Sequence, residues 1–565
     1  MTQLEAIGIR PIVRFAHDLV AATRRPGTWL ALGVGVALCA LFAWEVNTTP
    51  SFVVDDSYIT FAFSKNLARG LGPTYGQGIR VEGYSNFLWM VIVALPLVIA
   101  PHGDPVLLSR IMTVPFVGLL FAGTFLLARV RAGRFLSCLA VALVAMDVNV
   151  VLAFDSGLET LPYVALIVAG FAAYVRGDRA PLFRRAVVPL FTAAALTRID
   201  GFVPLGFIIA FDAARAWSNR RFSIVALLRF ALPGLGVWAL WFAWRWSYYG
   251  LPLPSTYYAK ALIPDLMPRR GSEYVQDELI GSGLFLALPA FAFLLWRRRK
   301  ATVPVGLFAI GQVLYAAKVG GDWMPSARFV LPAFPLFIAL LVAAGQELFD
   351  AARRRGPGTA SVTFALTLGL LFWVGVRAEP HQTTLPYVGG KLGLTLEQEK
   401  HVAILRRGAE YLAAVVPKGG RLVTDYGGIL AYYTDANPIE MWGLCNATIA
   451  TRGNADGIML IYGRTCPECY PELDPEYFHT YQPLVRDRDT FLRHEDVIGA
   501  VWQTDTIGRY LDFVHGFASG RVVHEQSGKA VWFLEKRGAG WKPHPRRVGA
   551  FVVEYPFNEN GLFSN

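Results

Sequence analysis

The stretch "TWLALGVGVALCALFAWEVNTTPSFVVDD" (28–56) joins an apolar run to a pair of adjacent acids. Residues 28–45 are long and apolar enough to form a membrane helix, which requires about 20 residues of this kind. Asp55 and Asp56 follow shortly after that run. Two carboxylates beside a membrane are costly unless a partner or a reaction uses them. The position and the contacts of this pair are therefore central to what the chain does.

The composition indicates a membrane protein with a soluble part. Of the 565 residues, 54% are hydrophobic and only 17% are charged, and the mean hydropathy is +0.40. Such a chain is too apolar for an ordinary soluble protein. The apolar runs lie between residue 28 and about residue 377, and the remainder is polar and mixed. We therefore predict a mostly α, polytopic membrane domain (1–377) and a soluble α/β or β-rich domain (378–565).

The net charge of +11 reflects membrane topology rather than nucleic-acid binding. The basic residues form short clusters between apolar runs, such as "RRRK" (297–300) and "RRR" (353–355). Clusters of this kind face the cytoplasm and its anionic lipids. Because they do not form one continuous basic surface, we predict membrane lipid and no nucleic acid among the partners.

The distribution of basic clusters also predicts the topology. The candidate spans are 28–45, 111–128, 135–153, 159–176, 186–197, 201–214, 223–246, 281–296, 302–318, 328–345 and 361–377. If 86–101 lies in the membrane without crossing it, every strong basic cluster faces the cytoplasm. The sequence thus predicts about eleven spans, a re-entrant or in-plane 86–101, and a C-terminal domain outside the cytoplasm. This places the protein in the cell inner (plasma) membrane.

The loops predicted to face outside contain the chemically distinctive residues. They are rich in acids, aromatics, glycine and proline, which is typical of loops that build a site. Asp55 and Asp56 have two possible functions there. They could stabilise the start of the helix "SYITFAFSKNLA", or one could act as the general base for an acceptor hydroxyl.

Other residues in these loops could bind a substrate. Arg198, Lys260 and Arg328 either extend to lipid headgroups or hold a lipid-linked phosphate. The acids Glu82, Glu159, Asp200 and Asp322 could bind sugar hydroxyls or pair with those cations. The aromatics Tyr84, Tyr258 and Trp323 could stack on sugar rings or belong to the aromatic belt of the membrane interface. The doublet Gly320–Gly321 and the prolines Pro252 and Pro254 predict backbone that leaves the helix to line a cavity.

Several motifs that would indicate another chemistry are missing from the sequence. There is no Walker motif, no dinucleotide fingerprint and no zinc-ligand spacing, so we predict no cofactor and no metal. "CPEC" (466–469) favours a local disulfide in an oxidising compartment. Because nucleotide sugars are not available outside the cytoplasm, a transferase there would use a lipid-linked donor.

Five ordered segments resemble the GT-C superfamily of integral-membrane glycosyltransferases. The segments are "DDSYITFAFSKNLARGLGPTYGQGIRVEGYSNF" (55–87), "SGLET" (156–160), "LTRIDGF" (196–202), "YYGLPLPSTYYAKA" (248–261) and "GGDWMPSARFVLP" (320–332). Within this superfamily the chain is most similar to the terminal arabinofuranosyltransferases of mycobacteria, although "EGYSNFLW" (82–89) follows a wider bacterial version.

The resemblance implies catalysis by Asp55, with Asp56 beside it, and donor-phosphate contacts by Lys260 and Arg328, with Arg198 as a further candidate. It implies a polyprenyl-phosphate donor, with arabinofuranose as the best match, and a cell-envelope glycan acceptor. Two alternatives remain open at this point. The acceptor could be a surface protein such as pilin, or lipopolysaccharide, or the protein could transport lipid-linked sugars. The absence of internal repeats and of mid-membrane charge disfavours a transporter.

Overall fold

We analysed a computed structural model of the chain. It describes residues 26–178, 180–260, 267–322, 324–377, 390–453, 466–479, 517–526, 530–538, 542 and 544–555. Within these ranges the protein is mostly helical, with a small sheet near the C-terminus. This agrees with the fold class predicted from the sequence.

The helices follow one another from Pro26 to Tyr249 with short connections. They are α1 (Pro26–Thr48), α2 (Asp55–Ala68), α3 (Phe87–Ile99), α4 (Pro105–Ala128), α5 (Arg134–Ala145), α6 (Val148–Asp155), α7 (Thr160–Gly177), α8 (Pro181–Thr197), α9 (Phe202–Ser218) and α10 (Ile224–Tyr249). Helix α7 is buried along nearly its whole length and packs against α4 and α8. Its continuous apolar sequence is explained by this central position.

The helical part continues to Arg377. The further helices are α11 (Ser255–Lys260), α12 (Met267–Gly281), α13 (Ala287–Trp296), α14 (Val303–Lys318), α15 (Phe334–Arg353) and α16 (Pro357–Arg377). Helix α15 is also largely buried and packs against α16, α13 and α5. Helices α10 and α16 instead expose many large apolar side chains, which suits contact with lipid.

Within the described ranges, six helices are long and apolar enough to cross a membrane, or up to eight if two bent helix pairs each form one span. The expected span 135–153 consists of α5 and α6, which meet at 55°. The expected span 281–296 is the shorter helix α13, and α12 meets it at 85°. The protein is a multi-pass membrane protein, and the count of eleven remains a prediction.

The apolar run 86–101 forms helix α3, which has 13 residues and contains Pro96. At 1.5 Å per residue it is about 20 Å long, shorter than the roughly 30 Å hydrocarbon layer. Its length therefore favours the re-entrant or in-plane placement. One face of α3 packs against α2 through buried Trp89 and Met90.

The C-terminal part combines helices with one mixed sheet. Its elements are α17 (Gly390–Leu412), β1 (Arg421–Thr424), α18 (Ile429–Tyr433), β2 (Asn437–Glu440), α19 (Ala447–Arg452), α20 (Tyr470–Leu473), β3 (Tyr477–His479), β4 (Phe517–His524), β5 (Ala530–Lys536), β6 (Arg546–Val548) and β7 (Phe551–Glu554). The strand order is β2-β1-β3-β5-β4-β7-β6. Strand β1 is parallel to β2 and β3, and the other pairs are antiparallel. The predicted disulfide joins Cys466 to Cys469.

Candidate active site

A cavity of about 930 Å³ lies where the predicted loops converge. Its wall includes residues from the start of α2, the loop before α3, the α8–α9 turn, α11, α12 and the segment after α14. Gly320 and Gly321 line it with positive φ angles, as expected for backbone that has left a helix. Segments that are distant in the sequence therefore line one cavity.

The acids of the opening pair have different environments. Asp56 lines the cavity, and no described cation forms an ion pair with it. Asp55 instead accepts hydrogen bonds from the backbone N–H groups of Gly428 (3.0 Å) and Ile429 (2.7 Å). Neither acid caps its own helix, because α2 has Val54 at its N-cap without a side-chain bond. The structure thus places the two adjacent carboxylates in different surroundings.

Burial raises the pKa of Asp55 to about 7. The hydrogen bonds from Ile429 and Gly428 lower the pKa, and the charge of Asp56 raises it, but burial is the larger effect. Asp55 is therefore a partly protonated group near neutral pH that is tied to the C-terminal part. Both of its oxygens accept backbone N–H groups of the C-terminal part, whereas Asp56 lines the cavity.

Arg198 lies in the cavity wall between two acids. Its Nη1 donates to Glu159 at 3.0 Å and its Nε donates to Asp200 at 2.9 Å. Asn86 donates to the second oxygen of Glu159 at 2.8 Å. These groups are buried, and a buried ion pair resists separation because each charge would be left uncompensated. Arg198 is therefore engaged by protein carboxylates.

Arg328 is also paired within the wall. It forms an ion pair with Asp322, the residue that follows the glycine doublet. Its guanidinium stacks at 5.4 Å from the Phe329 ring. Two of the three cations predicted to hold phosphate are thus already neutralised by neighbouring acids.

The remaining cavity cations have no such partner. Lys260, Arg270 and Lys318 line the cavity, and none of them forms an ion pair with a residue in the described ranges. Arg270 is brought there by close packing of α12 on α14, since a Cβ at Gly271 would lie 1.8 Å from the Ala317 carbonyl oxygen. The cavity wall therefore carries three cations, Lys260, Arg270 and Lys318, and one carboxylate, Asp56, that form no ion pair within the described residues.

Comparison with known proteins supports this picture of the fold. No protein-family model matches the chain. It is 25% identical over 355 residues to a terminal β-(1→2)-arabinofuranosyltransferase of Corynebacterium glutamicum, covering 54% of this chain and 49% of the relative. It is 27% identical over 402 residues to the Mycobacterium tuberculosis protein of the same name, covering 62% and 61% respectively. The chain thus spans about half to three fifths of the length of these relatives.

A solved structure aligns over most of the chain. It is the archaeal oligosaccharyltransferase AglB from Archaeoglobus fulgidus, in complex with an inhibitory peptide and a dolichol-phosphate. The TM-score is 0.51 at 11% identity, covering 91% of this chain and 75% of AglB. The chain has the GT-C fold. The resemblance stated from the five sequence segments is confirmed by these matches.

Only some of the residues predicted to bind sugar line the cavity. Tyr84 lines the cavity and its hydroxyl hydrogen-bonds that of Tyr249 at 2.8 Å. Glu82 is not among the lining residues and pairs instead with buried Arg245, whose Nε donates at 2.9 Å. Tyr258 also lies outside the lining, whereas its neighbour Tyr257 belongs to it. Trp323 lies outside the described residues.

The structure adds two cations that sequence reasoning missed. Lys318 ends helix α14 two residues before the glycine doublet begins, and Arg270 belongs to the doublet "RR" (269–270). That doublet lies in a loop predicted to face outside, so it departs from the positive-inside rule and could have been recognised on that ground. Within the described ranges, no group of three or more His, Cys, Asp or Glu side chains could hold a metal ion.

Proposed function

We propose that this GT-C protein is a membrane glycosyltransferase that transfers a sugar from a polyprenyl-phosphate donor to a glycan. The supporting observation is that one carboxylate without an ion pair, Asp56, lines the same cavity as the cations Lys260, Arg270 and Lys318. A general base and a phosphate-binding cluster are the two groups that this reaction requires.

Three uncompensated cations are suited to a lipid-linked phosphate. The phosphate gains negative charge as its bond to the sugar breaks, and fixed cations beside it lower the barrier. Arg270 can bind two phosphate oxygens at once, whereas Lys260 and Lys318 act as point charges. Arg198 and Arg328 contribute mainly by holding Glu159, Asp200 and Asp322 in the wall.

In the reaction that we propose, the acceptor hydroxyl transfers its proton to Asp56 as its oxygen bonds to the anomeric carbon. The bond between that carbon and the phosphate oxygen breaks, and polyprenyl phosphate leaves with the electron pair. The wall also contains carboxylates, Tyr84 and Asn86, which can hydrogen-bond sugar hydroxyls. No metal is needed for charge balance in this scheme.

The identities of the sugar and the acceptor rest on the relatives. Both curated relatives are named terminal β-(1→2)-arabinofuranosyltransferases, and AglB was solved with a dolichol-phosphate. We therefore propose arabinofuranose as the sugar, a polyprenyl phosphate as its carrier and a cell-envelope arabinan as the acceptor. The reaction would occur on the outer face of the inner membrane, with 1–377 as the catalytic domain and 378–565 as a soluble domain beside it.

The test is transfer by the purified full chain in detergent. We expect a polyprenyl-phosphate arabinofuranose to extend an oligoarabinoside by one pentose, detected by mass spectrometry, and we expect Asp56→Asn to reduce kcat about 100- to 10,000-fold. A panel with pilin peptide and lipopolysaccharide as acceptors separates the alternatives. Absence of transfer to every acceptor, or an unimpaired Asp56→Asn variant, would overturn the proposal.

A further inference from the structure

The first residue of the acid pair connects the membrane helices to the C-terminal part. Asp55 is the first residue of α2, and its two oxygens accept the N–H groups of Gly428 and Ile429 at the start of α18. A carboxylate at this position satisfies backbone donors that the short helix leaves without partners. The space is tight, since a Cβ at Gly428 would lie 2.0 Å from the Asp55 carbonyl oxygen.

The contact continues into a second loop of the C-terminal part. The hydroxyl of Tyr75 donates to the carbonyl of Gly427, next to the Asp55 contact. Gly427 also packs closely against Glu440, as shown by the distance of 2.7 Å between an added Cβ and Glu440 Cγ. Glu440 in turn accepts the N–H groups of Trp442 (2.8 Å) and Cys445 (3.1 Å). Its carboxylate thus holds the 440–445 loop in one conformation.

That loop reaches the cavity. Leu444 is part of the cavity lining, together with Asp56. The next residue, Cys445, packs so closely on Gly83 that an added Cβ there would lie 2.4 Å from its Sγ. The chain of contacts from Asp55 therefore returns to the cavity that contains Asp56.

We propose that Asp55 is a positioning residue that holds the 440–445 loop on the catalytic cavity, and that Leu444 contacts the acceptor sugar. The proposal rests on the proposed function. The unpaired cations that would hold the donor come from α11, α12 and α14 of the membrane part. Leu444 comes from the polar C-terminal part and carries no charge, so it is suited to the apolar face of an acceptor sugar.

The kinetic test compares three variants in the purified full chain. We expect Asp55→Asn to raise the acceptor KM about tenfold while kcat stays within a few-fold, because Asn can accept only one of the two N–H groups. We expect Leu444→Ala to raise the acceptor KM several-fold without changing the donor KM. The control Arg69→Gln removes an exposed ion pair with Asp435 between the same two parts, leaves Asp435 paired with Lys65, and should change neither KM.

Hydrogen exchange tests the positioning role without any turnover. The amides of Gly428 and Ile429 should exchange faster in Asp55→Asn than in the wild type or in Arg69→Gln. This readout remains valid even if no donor is transferred, so it separates a failure of the positioning role from a failure of the proposed function. Loss of kcat in Asp55→Asn with unchanged exchange and acceptor KM would make Asp55 the base. An unchanged acceptor KM in Leu444→Ala would overturn the acceptor contact.

Discussion

Neutralising one of the unpaired cavity cations should reduce activity without reducing stability. Arg270 and Arg269 are adjacent on α12, but only Arg270 lines the cavity. Arg269 is exposed, with 81% of its side chain accessible, and pairs with Glu273. Arg270→Gln and Arg269→Gln therefore make the same chemical change on the same helix, one in the cavity and one on the surface.

The expected magnitude follows from the strength of a hydrogen bond between a guanidinium and a phosphate. A hydrogen bond to a charged group contributes about 1.5–3 kcal/mol, and a factor of ten corresponds to about 1.4 kcal/mol. If Arg270 contacts the donor phosphate, Arg270→Gln should lower kcat/KM for the donor about 10- to 150-fold. Arg269→Gln removes a surface ion pair worth about 0–1 kcal/mol of stability and no substrate contact.

Stability provides the second readout. Lys260, Arg270 and Lys318 place three like charges in one cavity with no described carboxylate paired to them. Removing one charge relieves repulsion, so the melting temperature of Arg270→Gln should equal or exceed that of the wild type. A stabilised but impaired variant is characteristic of a residue retained for function rather than for folding.

The assay measures initial rates of transfer at varied concentrations of a polyprenyl-phosphate arabinofuranose, with thermal unfolding recorded on the same preparations. The effect of Arg270→Gln should decrease as the salt concentration rises, because ions screen the attraction between cation and phosphate. The reasoning is refuted if both variants lose activity equally, or if Arg270→Gln changes the donor kcat/KM by less than twofold.

Three further results are expected, each from a contact described above. Glu159→Ala should lower the stability by about 1–3 kcal/mol in a thermal or denaturant unfolding assay, because buried Arg198 and Asn86 each lose a hydrogen-bonded carboxylate while Asp200 still pairs with Arg198; a wild-type melting temperature would contradict this. Gly428→Ala should reduce the acceptor affinity in transfer assays, because backbone atoms of Asp55 occupy the space of the new methyl group. Normal acceptor kinetics would contradict the close contact between Asp55 and Gly428. Burial raises the pKa of Asp55 to about 7 and that of Glu440 to about 8. The contribution of these two groups to stability is therefore complete below about pH 4 and is lost as the pH rises through 7 and 8. Melting temperatures should fall between about pH 4 and 8, less steeply in Glu440→Gln, and a rise with pH would contradict this reasoning.

The sequence was sufficient to predict the class of fold and several of the loops that line the cavity. The apolar runs, the placement of basic clusters and five ordered segments led to the GT-C superfamily, and the comparisons agree. Asp56, Tyr84, Glu159, Arg198, Asp200, Lys260, Asp322 and Arg328 were all predicted and all line the cavity. These inferences succeed because hydropathy and loop composition act locally, within each span or loop.

The pairing of charges was decided only by the tertiary structure. Glu82 was predicted to bind sugar, but it pairs with Arg245, which lies inside an apolar run 163 residues away. Arg198 and Arg328 were predicted to hold phosphate, but nearby acids already compensate them. Lys318 was missed because a single cation at a helix end has the same sequence signature whether it faces lipid, water or a cavity, and Arg270 was missed although its doublet departs from the positive-inside rule.

The acid pair illustrates the same limit. The sequence identified Asp55 and Asp56 as the central residues, and the resemblance implied catalysis by Asp55, whereas we propose Asp56 as the base. Successive residues on a helix point about 100° apart, so adjacent carboxylates necessarily face different surroundings. The partner of Asp55 comes from Gly428 and Ile429, more than 370 residues further along the chain. Composition and local pattern determine which groups are present near a membrane surface, whereas long-range packing determines which of them is available for chemistry.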